Sequence, residues 1–377
     1  MRIPTIVLSV IASTMLVTAG PIAGFDQFRI FRDKESEQRL VKIGDDTPAR
    51  WMSEDDKFAL MRAGVRFMDI TDNPEDLRTI AVTPYHSVIP TQVKHQDEVR
   101  PFIGNLTTEN MEVMLETFTG FHTRYYKSSW GKKSSAWLLG QVEDIVELQD
   151  HVSVAPFPHP WGQSSIIARI EGSREDLKDE LVIVGAHQDS TVMWFPSISR
   201  SPGADDDGSG TVTIFEAFRS LVQNGFKPER SVEFHWYSAE EGGLLGSQAI
   251  SRRYKKDGKQ VVAMLQNDMT GYIGSKGEVI GVVTDHVDEK LTDFLQALVR
   301  QYADIPAALT KCGYACSDHA SWREEGFRSA FTIESEFEES NQNIHTADDT
   351  IDKLSFDHMK EFAKVAVGFA VELSHGQ

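Results

Sequence analysis

The apolar positions of this chain switch between two periods. Short runs of branched apolar residues alternate with longer stretches in which apolar side chains return every third or fourth position. SSIIARIEG (164–172), ELVIVGA (180–186), SVEFHWYSA (231–239), VVAMLQND (261–268), EVIGVVT (278–284) and FRSAFTIE (327–334) predict strands. TVTIFEAFRSLVQNG (211–225), LLGSQAISRRYKK (244–256), LTDFLQALVRQYA (291–303) and FDHMKEFAKVAVGFAVELS (356–374) predict helices. Strands alternating with helices imply the α/β class, with a mixed, largely parallel central sheet and helices on both faces. Upstream, TTENMEVMLETFT (107–119), with Thr107 as N-cap, and SSAWLLGQVEDIVEL (134–148) read as two more helices.

The N-terminus has a different texture. Met1-Arg2, an apolar core and small residues near Ala19-Gly20 form a signal peptide pattern over residues 1–19. That run is short and broken by Ser and Thr, and no later apolar run is long enough to span a bilayer. The expectation is export to the extracellular space, with no membrane partner. Residues 20–87 are charged and irregular, with EDDKFALMRAGVRFMDIT (54–71) the one helix-plus-strand patch and no concentrated chemistry. They read as a pro-region that assists folding or blocks a site until cleaved, ahead of an ordinary N-terminal subdomain. Residues 88–377 then form the catalytic domain. The 57 acidic residues against 38 basic give a formal charge of -19, which argues against nucleic acid as a partner and suits a soluble exported protein.

Polar residues with metal-binding chemistry collect where the predicted elements end. His187 closes the strand LVIVGA and Asp189 follows two residues later. In open α/β sheets the carboxyl edge of the strands is where sites are built. Asp205, Asp206 and Asp207 lie in PGADDDGSG, which leads into a helix; alone, that loop is more readily a solvated, helix-capping turn than a cation site. Glu240-Glu241 follows SVEFHWYSA, Asp268 ends VVAMLQND, and His345 lies in NIHTADD before the last helix. Adjacent strand residues point opposite ways, so one glutamate of the pair can hold a metal while the other faces substrate. Oxygen and imidazole donors without thiolates suit hydrolytic zinc, and two close ions can bind a carbonyl and activate a water together. Cys312 and Cys316 are the only cysteines; an even count in an exported chain favours a disulfide over two buried thiols or a zinc site. Asn105-Leu106-Thr107 is a glycosylation sequon.

HQDS, PGADDDGSG, SAEEGG, NDMTGY, CGYACSDHASW and NIHTADDT, in that order and spacing, resemble the secreted leucyl aminopeptidases of bacteria and fungi, which use two zinc ions. The resemblance runs from about Val88 to the C-terminal helix and is nearest to the fungal enzymes. It implies a bridging carboxylate at Asp206, one zinc completed by His187 and Asp268, and the other by Glu241 and His345. It implies Glu240 as general base, Asp189 as the carboxylate orienting the His187 ring, a Cys312–Cys316 disulfide, and Tyr314 as a donor to the developing oxyanion. His319, in the same segment, is read as structural. An apolar pocket for the N-terminal side chain would comprise Met269, Val283, Phe331, Ile333, Phe337 and Ile344, giving preference for Leu and other bulky apolar residues. The implied partner is a peptide with a free N-terminus, and the implied state a monomer. The competing readings are another zinc exopeptidase or a glutaminyl cyclase-like enzyme on the same scaffold, or a non-catalytic receptor-type relative.

Overall fold

A computed structural model describes residues 38–72, 87–147 and 149–376. The signal peptide pattern and part of the 20–87 segment lie outside them. The body is an eight-stranded sheet in the order β10-β9-β11-β8-β6-β7-β5-β4. Its strands are β4 (Val152–Phe157), β5 (Ser165–Ile170), β6 (Glu180–His187), β7 (Ser231–Tyr237), β8 (Gln260–Asn267), β9 (Ile280–Val283), β10 (Ala307–Thr310) and β11 (Ser329–Ile333). At the centre, β7, β6, β8 and β11 run parallel; β5 and β4 on one side, and β9 beside β11, are antiparallel joins. The mixed sheet foreseen is present, and the antiparallel share lies toward its margins. The short edge strands β4 and β10 escaped the pattern because each is half-exposed and lacks a branched apolar run.

β6 is buried along its whole length, and its alternation sorts the two cores. Val182, Val184 and Ala186 face the larger cluster, where α5 (Gly210–Gln223), α7 (Glu289–Tyr302) and α9 (Phe356–Ser374) contribute Phe215, Leu298, Phe362 and Phe369. Leu181 and Ile183 face a smaller cluster with Ile250 and Tyr254 of α6 (Leu245–Lys256) and Trp322 of α8 (His319–Glu324). Two further helices, α3 (Thr108–Gly120) and α4 (Ser129–Val146), pack on the larger cluster through Leu115, Phe118 and Leu138, after the short α2 (Gln96–Ile103). Thr107 caps α3 by accepting from the Asn110 N–H, as its position predicts. None of the described helices is long and apolar enough to cross a membrane.

Before the body comes a small lobe. β1 (Arg39–Lys42), β2 (Arg50–Met52) and β3 (Met68–Asp69) form a three-stranded antiparallel sheet with α1 (Glu54–Arg62) between β2 and β3. α1 starts with a capping box between Ser53 and Asp56. The lobe docks on the body through Met68 and Ile70, which join Leu244, Ala315 and Ala320. The Asp69 N–H donates to Gly243 O at 3.1 Å. Gly243 has φ +99°, and a side chain there would stand 2.7 Å from that same amide nitrogen. The second glycine of SAEEGG is therefore required by the lobe's approach.

Candidate metal centre

β7, β6 and β8 are neighbours in the sheet and end at the same edge. Their continuations deliver Glu240-Glu241, His187 with Asp189, and Asp268. Asp206 arrives from the loop before α5, and His345 from the loop before α9. His187 Nε2 lies 3.1 Å from Asp206 Oδ1 and 3.6 Å from Asp268 Oδ1. His345 Nε2 lies 2.9 Å from Asp206 Oδ2 and 3.0 Å from Glu241 Oε2. Asp206 thus offers one oxygen to each histidine, and the five side chains separate into two triads that share it.

The donor set fits cations. Ligand atoms about 2.1 Å from one zinc ion sit roughly 3–3.5 Å from one another, which is the spacing found here. Burial lowers the affinity of His187 for a proton, yet Asp268, Asp189 and Asp206 outweigh it and hold the imidazole well above its usual range. His345 behaves likewise, with Glu241 and Asp206 overcoming burial. Glu241 Oε1 and Asp268 Oδ1 are buried without a hydrogen-bond partner. Buried carboxylates and imidazoles that mutually demand positive charge are a cation-binding environment.

Surrounding groups hold these donors in place. Asp189 stands 3.5 Å from His187 Nδ1 and accepts the backbone N–H groups of Glu240 at 3.0 Å and Glu241 at 3.3 Å. It therefore positions both glutamates as well as the ring. The three aspartates divide the work. Asp207 accepts the His187, Gly210 and Met269 amides, while Asp205 accepts from Ser209, Gly271 and Asn341. Only Asp206 faces the histidines. Asp349, of the NIHTADD loop, accepts the Asp205 and Asp206 amides, and Ser317 donates to Asp268 Oδ2 at 2.5 Å. Arg124 is fully buried and gathers the carbonyls of Gln188, Pro202 and Gly203 around the same loops. Ala239, Met269 and His345, each beside or at a site side chain, have φ of 61°, 58° and 57°. Left-handed backbone in non-glycine residues costs energy, and it collects where a fold serves a site.

Next to the metal groups, Met269, Val283, Phe331 and Ile333 form one apolar cluster with both cysteines, and Phe337 and Ile344 pack against it. Cys312 and Cys316 are disulfide-bonded, and the bridge is part of that wall. Glu240, partly buried, lines the cavity between this pocket and the triads. Tyr314 packs against the cluster where lobe and body meet, which includes Met68 and Ile70 of the lobe and Ala315 of the body. His319 is buried, stacks on Phe331 at 4.8 Å and has both ring nitrogens without hydrogen-bond partners. Burial pushes its pKa down to about 3, so it is a neutral packing group. Asn105 is exposed on the turn after α2.

One contributor stood outside expectation. Arg66, between α1 and β3, enters the cavity with Asp206, Glu240, Asp268 and His345, and its guanidinium lies 5.6 Å from the Phe337 ring centre. About 20 Å³ stays open beside Arg66 there, and a larger cavity of about 290 Å³, lined by Arg62, Arg66, Glu240, Glu241 and His345, adjoins it. Arg62 follows outside, donating to Met193 O at 3.1 Å and lying 4.1 Å over the Trp194 ring. An arginine in an irregular charged stretch carries no sequence signal of this kind.

The profile of peptidase family M28 matches residues 165–370, which include all five donors of the two triads. The chain belongs to this family. The leucine aminopeptidase 1 of Chaetomium globosum is 51% identical over 339 residues, spanning 86% of this chain and 82% of that protein. Among solved structures, the Legionella pneumophila aminopeptidase LapA matches with a TM-score of 0.78 and 29% identity, over 90% of this chain and 94% of its own. LapB of the same bacterium matches with a TM-score of 0.77 and 26% identity, over 93% and 98%. This M28 member is a metal-dependent aminopeptidase.

Proposed function

We propose that the chain is an extracellular aminopeptidase that holds two zinc ions and releases Leu and other bulky apolar residues from peptide N-termini, in a form kept latent by its N-terminal lobe. The observation that carries the two-ion reading is Asp206, whose two oxygens are shared between His187 with Asp268 and His345 with Glu241. When bound, two ions would polarise the scissile carbonyl and make the attacking water more acidic. The rest of the work falls to the chain's own groups.

The N-terminal side chain of the substrate enters the pocket of Met269, Val283, Phe331, Ile333, Phe337 and Ile344, whose apolar walls reward bulky apolar residues. Glu240 takes the proton of the attacking water at its carboxylate and returns it to the leaving amine. Asp189 keeps Glu240 and His187 in register through the contacts described above. Tyr314 serves as oxyanion donor only once the lobe that packs against its ring has left. The basic residues lining the cavity, apart from His345, are Arg62 and Arg66, both from the lobe. Among the described residues the body therefore offers no fixed cation there for a substrate carboxylate, which favours an aminopeptidase over a carboxypeptidase.

The domain reading follows: residues 20–87 are a pro-segment that fills the site through Arg66, and 88–377 are the enzyme. Export of the chain fits the disulfide and the signal peptide pattern. The test is hydrolysis of Leu-p-nitroanilide by protein freed of the lobe, before and after chelation and zinc restoration. Activity lost to the chelator and regained with zinc is expected; equal kcat/KM on Leu-, Lys- and Glu-p-nitroanilide would sink the pocket assignment.

A further inference from the structure

Between β6 and α5, the body holds a loop of large apolar side chains out in solvent. Trp194, Phe195 and Ile198 are 63%, 71% and 74% exposed, although the lobe is in place. The loop keeps its shape through polar contacts instead. The Met193 N–H donates to His345 O at 3.3 Å, the Ser199 N–H to Phe195 O at 2.9 Å, and the Ser201 N–H to His122 O at 2.9 Å. Ser199 Oγ donates to Trp194 O at 3.0 Å, Ser201 Oγ to Thr191 O at 2.8 Å, and Thr123 Oγ1 to Pro196 O at 3.3 Å. Apolar groups that folding does not use, carried on a fixed backbone, are the mark of a contact surface.

The lobe shows which chemistry this surface accepts. The Arg62 guanidinium lies 4.1 Å over the Trp194 ring and donates to Met193 O at 3.1 Å. The ring thus offers a cation its electron-rich face, and the neighbouring carbonyl accepts the cation's N–H. A carboxylate would meet that same face and that same carbonyl with the wrong sign. The position is as telling as the chemistry. The cavity of about 290 Å³ is bounded on one side by lobe residues 61–67, and on the other by body residues from Glu240, Glu241 and His345 to Met193. Arg66 reaches the metal groups, while Arg62, four residues earlier, ends on Trp194. The lobe therefore traces a path from the triads to that ring.

Once the lobe has gone, the same path lies open to a peptide whose first residue sits in the apolar pocket. On the aminopeptidase reading of the site, we propose that Trp194 and the Met193 carbonyl form a subsite for a basic side chain beyond the scissile bond. Arg62 occupies it in the latent chain; Arg or Lys at the second or third position of a peptide occupies it in the active enzyme. The first residue is selected by apolar contact and a later one by charge, so the two preferences act through separate parts of the chain.

The experiment compares peptides that differ only after the leucine. The full chain is folded, loaded with Zn²⁺, cut and freed of its lobe, then given Leu-Arg-Gly and Leu-Asp-Gly, and Leu-Gly-Arg and Leu-Gly-Asp, in competition. The wild type should favour the basic member of at least one pair. The formal charge of -19 favours basic peptides at any point of the surface, so the deciding quantity is the change when an uncharged ring is removed. Trp194→Ala should reduce the ratio of the two kcat/KM values by about two- to fivefold, the worth of one exposed cation–aromatic contact. Trp194→Phe, which keeps an aromatic face, should retain most of it. Both rates in a ratio come from one preparation, so the ratio does not depend on how much of a variant folds. Ratios in Trp194→Ala equal to those of the wild type would overturn the proposal. So would a change in self-association on Trp194→Ala with the ratios unmoved, which would give the loop to a second copy of the chain. Failure of the wild type to release Leu from any of the four peptides would sink the aminopeptidase reading itself, and this subsite with it.

Discussion

The body and the lobe of this protein are held together by different means. In the body, β6 is buried throughout, and its alternating side chains sort two apolar clusters. In the lobe, the one buried residue of α1 is Lys57, which pairs with Asp69 at 2.9 Å, and Arg39 meets the same carboxylate at 2.8 Å. The lobe's buried apolar residues Met68 and Ile70 share one cluster with Leu244, Ala315 and Ala320 of the body, and Leu40 and Ala49 of the lobe pack against it. A small unit with ion pairs in its interior and part of its apolar contact across an interface takes much of its stability from what it leans on. This construction fits the proposed role of the lobe as a removable cover over a body that keeps its own geometry.

The contrast can be tested from both sides, and the largest effect belongs to the body. Glu240→Gln should lower kcat by about 10²–10⁴-fold, the range for losing a general base, while metal analysis finds the ion content kept. If the metal leaves with the activity, Glu240 is a ligand and the two roles assigned to the glutamate pair must be exchanged. Asp189→Asn comes next, with an expected loss of about 10–100-fold, typical of removing a group that orients a ligand. Kinetics and metal affinity should both fall, because Asp189 holds the ring and both glutamate amides.

The lobe's contribution is smaller and opposite in sign. Arg66→Ala in the unprocessed chain should raise Leu-p-nitroanilide hydrolysis by about tenfold, the factor that corresponds to roughly 1.4 kcal/mol. The same change cannot affect protein from which the lobe has been removed. Unchanged latency in the full-length variant would mean that the lobe blocks by bulk rather than through this side chain.

The remaining effect concerns pH and is read in stability rather than in rate. Burial lowers His319 from 6.5 to about 3, so the folded body takes up this proton less readily than the unfolded chain. The stability that this provides is complete above pH 6.5 and is lost as pH falls toward 3. Denaturant unfolding of His319→Phe should show a shallower decline across that window than the wild type; a parallel decline would place the acid sensitivity elsewhere.

How far these features could be read in the chain depended on distance along it. The strand ending at His187 was legible because its motif is local and sits at a switch of period, whereas Asp206 within PGADDDGSG was marked out by the resemblance to known aminopeptidases. The same loop hid the different duties of its three aspartates, since the groups that occupy Asp205 and Asp207 include Met269, Gly271 and Asn341, more than sixty residues away. Asp349 stood in a quoted motif, four residues past His345, and only the fold shows it bonded to the amides of Asp205 and Asp206. Arg124 and Arg66 left no trace at all. A buried guanidinium bonded to carbonyls and an arginine at a cavity mouth look the same as surface arginines when written as letters.

The lobe's attachment has a consequence for how activity would appear. On the proposed reading, cutting the chain between Asp72 and Ser87 would leave the contacts between lobe and body in place. An intramolecular plug, held at an effective concentration of order millimolar, would then become an ordinary tight ligand. Freshly cut enzyme should therefore wake on dilution and fall silent again when concentrated with its own released segment. Further digestion of that segment would make the change permanent, so the timing of activity would be set by the surroundings as much as by the cut.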